Sequence, residues 1–196
     1  MAVGVSAALR TSLHESGHAL IAAALRLPVT SVELLAGGGG LTRHAEAIGP
    51  PSGLIAVAGV EFEAFNGYQP RIPWDQSEDQ EKFEGSGLDL AMAVRAVRAA
   101  FDTPGLGHLG RRLARRLSRS GLLLGGVDLA SLGSETVRLA GRRLLRELGS
   151  DLRERTERAI LNPLQQWARM NRQCPGCGAS LHRSHLSFCP LRVETA

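Results

Sequence analysis

The chain has 196 residues, enough for one domain of ordinary size or a domain with a small appendage. Its 43% hydrophobic content can supply a core, and its net charge of +4 is carried almost wholly by arginine, since Lys82 is the only lysine. That balance permits weak attraction to nucleic acid or acidic surfaces without demanding either.

Three classes are disfavoured. No stretch reaches the roughly 18 apolar residues of a membrane span. The opening residues lack the basic region of a signal peptide. Three cysteines, all near the C-terminus, do not make a disulfide framework. The expectation is a soluble, cytoplasmic protein.

In chain order, residues 6–25 form a first helix of alanine and leucine, stopped by Pro28. It contains His14-Glu15-Ser16-Gly17-His18, an H-E-x-x-H motif. Residues four apart share a helix face, so His14 and His18 can present imidazoles to one metal ion. Zinc suits two such nitrogens, with room for a third protein ligand and a water. Glu15 is placed to act as general base toward that water. Such a helix is costly to bury without partners for its polar groups, which favours a metal over a fortuitous histidine pair.

Residues 29–35 are rich in β-branched side chains and read as a strand. Gly37 to Gly40 make a turn, not a phosphate loop, because no G-K-[ST] follows. Residues 41–44 complete a hairpin, whose exposed edge can take an extended peptide. His44 reads as a surface histidine, with a substrate or metal contact as the alternative.

Residues 52–65 form an apolar helix carrying Glu61 and Glu63. Residues 68–85, with Asp75, Glu78, Asp79, Glu81 and Glu84, read as a solvated acidic loop rather than a second metal site. Ser86 caps a helix over 87–101, with Asp89 in its first turn. The arginine-rich segment 111–117 reads as a solvated helix face, with a nucleic-acid or acidic partner as the alternative. A break over 121–128 precedes helices over 131–148 and 151–170. The fold class expected is mainly α with one small β-hairpin or sheet near the first helix.

An ordinary catalytic zinc needs a third protein ligand. Glu61, Glu63, Asp89 and His44 are all candidates, and spacing does not choose among them.

Several segments together resemble the peptidase domain of the FtsH-type, ATP-dependent AAA zinc metalloproteases. His14-Glu15-Ser16-Gly17-His18-Ala19 is similar to that family's H-E-A-G-H-A, with Ser16 replacing alanine. Leu41-Thr42 and the glycines before it resemble the family's G-x-T segment. Ala58-Gly59-Val60-Glu61-Phe62-Glu63 resembles G-G-R-x-A-E-E, and Gly85-Ser86-Gly87-Leu88-Asp89-Leu90 resembles G-A-S-N-D-L. The resemblance implies a zincin-like helical fold, His14, His18 and Asp89 as metal ligands, and Glu15 as general base; Glu63 or Glu61 is kept as the reserve ligand. It spans roughly residues 8 to 100. The family also carries an ATPase domain and usually membrane spans. This chain has no Walker-type segment, so a stand-alone peptidase with no ATP binding of its own is expected, acting on flexible or unfolded protein.

Cys174-Pro175-Gly176-Cys177, His185 and Cys189 have the shape of a zinc knuckle, with His185 leaving three residues before Cys189. The expected organisation is a peptidase-like domain over 1–170 and a knuckle-like tail over 171–196 with a second, structural zinc. The function expected is zinc metalloendopeptidase. The alternative is a catalytically silent scaffold that binds protein or nucleic acid through its basic C-terminal part and knuckle. An intact Glu15 favours the enzyme.

Overall fold

The computed structural model describes residues 7–69, 77–126 and 128–171, with side chains described as far as residue 161. The knuckle residues Cys174, Cys177, His185 and Cys189 lie outside the described residues, as does Asp75.

Apolar side chains at helical spacing build α1 (Ala7–Ala24), α2 (Pro50–Phe65), α4 (Leu90–Phe101), α5 (Leu106–Ser120), α6 (Glu135–Glu147) and α7 (Gly149–Asn171); a short α3 (Glu78–Glu84) sits between α2 and α4. β1 (Val29–Leu34) and β2 (Gly40–His44) form the expected antiparallel hairpin, with Val32 opposite Thr42. A third antiparallel strand, β3 (Leu122–Leu124), pairs with the other side of β1, so the sheet order is β2-β1-β3. The domain is mainly helical with one small sheet.

α1 is the central element. Its residues from Ala19 to Ala22 are wholly buried, packed among Leu54, Phe62, Leu106 and Leu117 from α2 and α5. α1 and α2 approach closely at Gly17, where a Cβ would stand 2.8 Å from the Cβ of Phe62. Side-chain volume at that position would force the helices apart, and the metal motif on α1 would lose its facing wall.

Three expectations are corrected. Within the acidic stretch read as loop, residues 78–84 are helical. Ser77 caps them by accepting a hydrogen bond from the Gln80 amide, while Asp79 and Phe83, four apart, are both buried. The helix expected from residue 87 starts at Leu90, because Asp89 is its cap and not part of its first turn. The break expected over 121–128 contains β3, three leucines recruited by the free edge of β1. Three residues are too few for a period-2 pattern to register.

Candidate metal centre

α1 places His14 and His18 one turn apart, their rings edge to face with centroids 4.6 Å apart. Each ring has its Nδ1 engaged. His18 Nδ1 donates to the Ile55 carbonyl on α2 at 2.7 Å. His14 Nδ1 lies 2.9 Å from Glu63 Oε1, also on α2. With a proton fixed on each Nδ1, the Nε2 atoms turn toward a common point, the arrangement that partners behind a ligating histidine impose.

Glu63 is itself anchored, because Arg10, one turn before His14, donates from Nε to Glu63 Oε2 at 3.1 Å. The chain of contacts therefore runs from Arg10 through Glu63 to His14, and Glu63 is only 5% exposed.

The carboxylate that meets the two Nε2 atoms belongs to Asp79 on α3. Its Oδ2 lies 3.1 Å from His14 Nε2 and 3.3 Å from His18 Nε2. Asp89 is elsewhere: it is exposed, and its Oδ1 accepts a hydrogen bond from the Met92 amide at 2.9 Å as the cap of α4. Glu61 is turned to α4, where it pairs with Arg98 through Nε at 2.6 Å and Nη2 at 3.3 Å. Glu63 stands behind His14, on its Nδ1. His44 ends β2 and donates Nδ1–H to the Ala45 carbonyl at 2.8 Å. Burial holds its pKa below the ordinary histidine value, with the charges of His18 and Lys82 acting in the same direction.

The electrostatics of the cluster fit a cation. Burial pulls the His14 pKa down, but hydrogen bonds with Asp79 and Glu63, and the charges of Asp79 and Glu15, overcome it and raise it to about 10. Burial pushes Asp79 up, yet the charge of His18 and hydrogen bonds from both histidines hold it well below the usual carboxylate range. Two acidic side chains thus keep a positive charge between them. In the metal-free protein that charge is a proton on His14.

Glu15 completes the cluster: ligand-type atoms of His14, Glu15 and His18 all lie within 4.8 Å of one another. Its side chain is 5% exposed, and Thr42 Oγ1 on β2 lies 2.8 Å from its Oε2 and 3.0 Å from its backbone carbonyl. The hairpin thus fixes the glutamate's rotamer. Gly40 makes room for it, since a Cβ there would stand 2.8 Å from Glu15 Cδ and Oε1.

A metal ion fits this set on two observations. Donors held about 2.0–2.1 Å from a tetrahedral ion lie about 3.3 Å apart, close to the separations between Asp79 Oδ2 and the two imidazoles. Gly59 on α2 faces the convergence point, where a Cβ would come within 2.6 Å of both Nε2 atoms. The space in front of the imidazoles is kept by the absence of a side chain.

Asp79 is the residue that sequence reasoning passed over. A signal for it existed: Ser77-Glu78-Asp79-Gln80 has the S-x-x-Q form of a helix start, and Asp79 and Phe83 are spaced to share a face. His14, Glu15 and His18 form the clustered ligand set typical of zinc metallopeptidases. No protein-family model matches the chain, and neither a curated protein nor a solved structure does, so the functional reading rests on this set and its surroundings.

Proposed function

We propose that this chain is a zinc-dependent endopeptidase of the kind its motifs resemble, the FtsH-type peptidase domain, with His14, His18 and Asp79 as metal ligands. Asp79 takes the place that the resemblance assigned to Asp89. The observation that carries the reading is the convergence of two tautomer-fixed imidazoles and one buried carboxylate, with Glu15 alongside. Bound there, zinc would polarise a scissile carbonyl and lower the pKa of a water.

The chain's own residues supply the rest. Glu15, steadied by Thr42, accepts the proton of the attacking water and returns it to the departing amine. β2 is an edge of the sheet and carries Thr42, so a peptide added along β2 as a further strand would run beside Glu15. Strand addition requires an extended segment, which suits flexible or unfolded protein as substrate. A second, structural zinc on Cys174, Cys177, His185 and Cys189 belongs to the same proposal.

The test compares zinc content and cleavage of casein or a peptide library in the wild type and in Glu15→Gln. The substitution should leave the catalytic zinc bound and abolish turnover. Undiminished cleavage would remove the mechanism. Two zinc equivalents, falling to one when Cys174 and Cys177 become serine, would support the tail site.

A further inference from the structure

α5 carries Arg111, Arg112, Arg115, Arg116 and Arg119, all exposed, and its 15 residues include no acidic side chain. At spacings of three and four they form one stripe along the helix. Other helices pair part of their arginines with acidic side chains, although Arg143, Arg146 and Arg155 are not among the pairs. On α6, Arg138 and Arg142 both reach Glu135, at 2.8 and 2.7 Å; on α7, Arg158 pairs with Glu154 at 2.6 Å and Arg153 with Glu157 at 4.0 Å. On α5, Arg116 pairs with Asp128, and Arg111 meets the neutral amide of Asn66 at 3.4 Å. Among the described residues, Arg112, Arg115 and Arg119 have no acidic partner.

The imbalance extends along the sequence. Up to residue 102 there are seven basic and twelve acidic side chains; beyond it there are sixteen and seven. The metal centre lies in the acidic part and α5 in the basic one. Like charges at helical spacing repel, so the stripe adds nothing to folding, and a polyanion is what would relieve it.

The helix also narrows the kind of polyanion. Its large apolar residues, Leu106, Leu109, Leu113 and Leu117, all face the core and are at most 8% exposed, which leaves no apolar face to enter lipid. It has no Phe, Tyr or Trp, and its one ring, the exposed imidazole of His108, is not the row of stacking platforms that a single strand needs. Guanidinium groups grip phosphate oxygens in bidentate fashion. A regular line of them suits a regular line of phosphates better than the scattered carboxylates of a folded protein.

We propose that the arginine stripe of α5 is a docking surface for the phosphate backbone of duplex nucleic acid, bound without regard to sequence. The surface is independent of the metal centre and of the peptidase reading.

The experiment is fluorescence anisotropy of a short labelled DNA duplex titrated with the full chain over about 50 to 200 mM salt. Replacing Arg112, Arg115 and Arg119 together by glutamine should flatten the slope of log K against log salt by about 2.7, about 0.9 for each phosphate no longer neutralised. The corresponding triple lysine variant should keep the slope, because it keeps the charge. A control triple, Arg138→Gln, Arg142→Gln and Arg158→Gln, removes the same charge from arginines already paired with glutamate and should also leave the slope unchanged. Circular dichroism establishes that each variant is folded. Equal flattening by both glutamine triples would overturn the proposal, since binding would then follow net charge alone. So would a wild type whose affinity does not depend on salt, or tighter binding to phosphatidylserine vesicles or polyglutamate than to the duplex.

Discussion

Asp79 Oδ2 stands 3.1 Å from His14 Nε2, although the two residues are 65 positions apart and on different helices. The same oxygen lies 3.3 Å from His18. It closes a triangle of donors that the H-E-x-x-H helix leaves open. Asp79 as third donor separates the proposed site from the one the resemblance implied.

Asp79→Ala should therefore cost more zinc affinity than the tenfold to hundredfold, roughly, that follows loss of a residue behind a ligand. Asp89→Ala should leave zinc bound and lower stability by about 1 kcal/mol, the usual cost of losing an N-cap. Zinc titration with a competing chelator and thermal unfolding of both variants check this. If Asp89→Ala loses the metal and Asp79→Ala keeps it, the ligand assignment is wrong.

Arg10 touches no donor atom of the site, yet it holds the carboxylate that orients His14. Arg10→Ala leaves Glu63 buried without its cation, and should weaken zinc binding by about tenfold to a hundredfold. Arg10→Lys should recover part of the loss, because the charge returns without the planar fork. A chelator competition series over the three proteins tests it. Equal affinities throughout would mean that Glu63 needs no anchor.

Gly59→Ala sets helix propensity against the site. In a helix interior the alanine is favoured by about 1 kcal/mol, but its Cβ would stand 2.6 Å from both Nε2 atoms. The variant should fold, retain its circular dichroism spectrum, and lose zinc. Full zinc loading of Gly59→Ala would show that the ion does not sit between the imidazoles.

The metal-free protein should lose stability as pH rises. His14 has a folded pKa raised to about 10 from an unfolded value of 6.5. Its contribution is complete below pH 6.5 and disappears as pH rises through about 10. Asp79 is depressed when folded, so its contribution is present above its unfolded value of 3.8 and is lost as pH falls further. Melting temperatures of the chelator-treated protein should hold between about pH 4 and 6.5 and decline toward 10. Zinc replaces the His14 proton, so binding at pH 7 should release about one proton, read by calorimetry in buffers of different ionisation enthalpy. A zinc-binding enthalpy independent of the buffer would contradict this.

The active helix, the hairpin and the apolar α2 were legible in the sequence because each is a local pattern: H-E-x-x-H among helix formers, β-branched residues beside glycines, an apolar run opened by prolines. The pattern also pointed to Glu63 without showing its place, which is behind His14, on its Nδ1. α3 and β3 escaped because neither is long enough for its period to stand out, and an acidic stretch has the composition of a wet surface. What distinguishes Asp79 from Glu78 and Glu81 is burial, and burial follows from where the neighbouring helices lie.

The sequence by itself determined that two imidazoles and a glutamate share one turn of an apolar helix, since helical spacing alone brings them together. Only the tertiary structure decided which carboxylate faces them, which groups fix their tautomers and which glycine keeps the space open. Those partners come from α2, α3 and β2. Their meeting is set by packing around α1, which no spacing along the chain encodes.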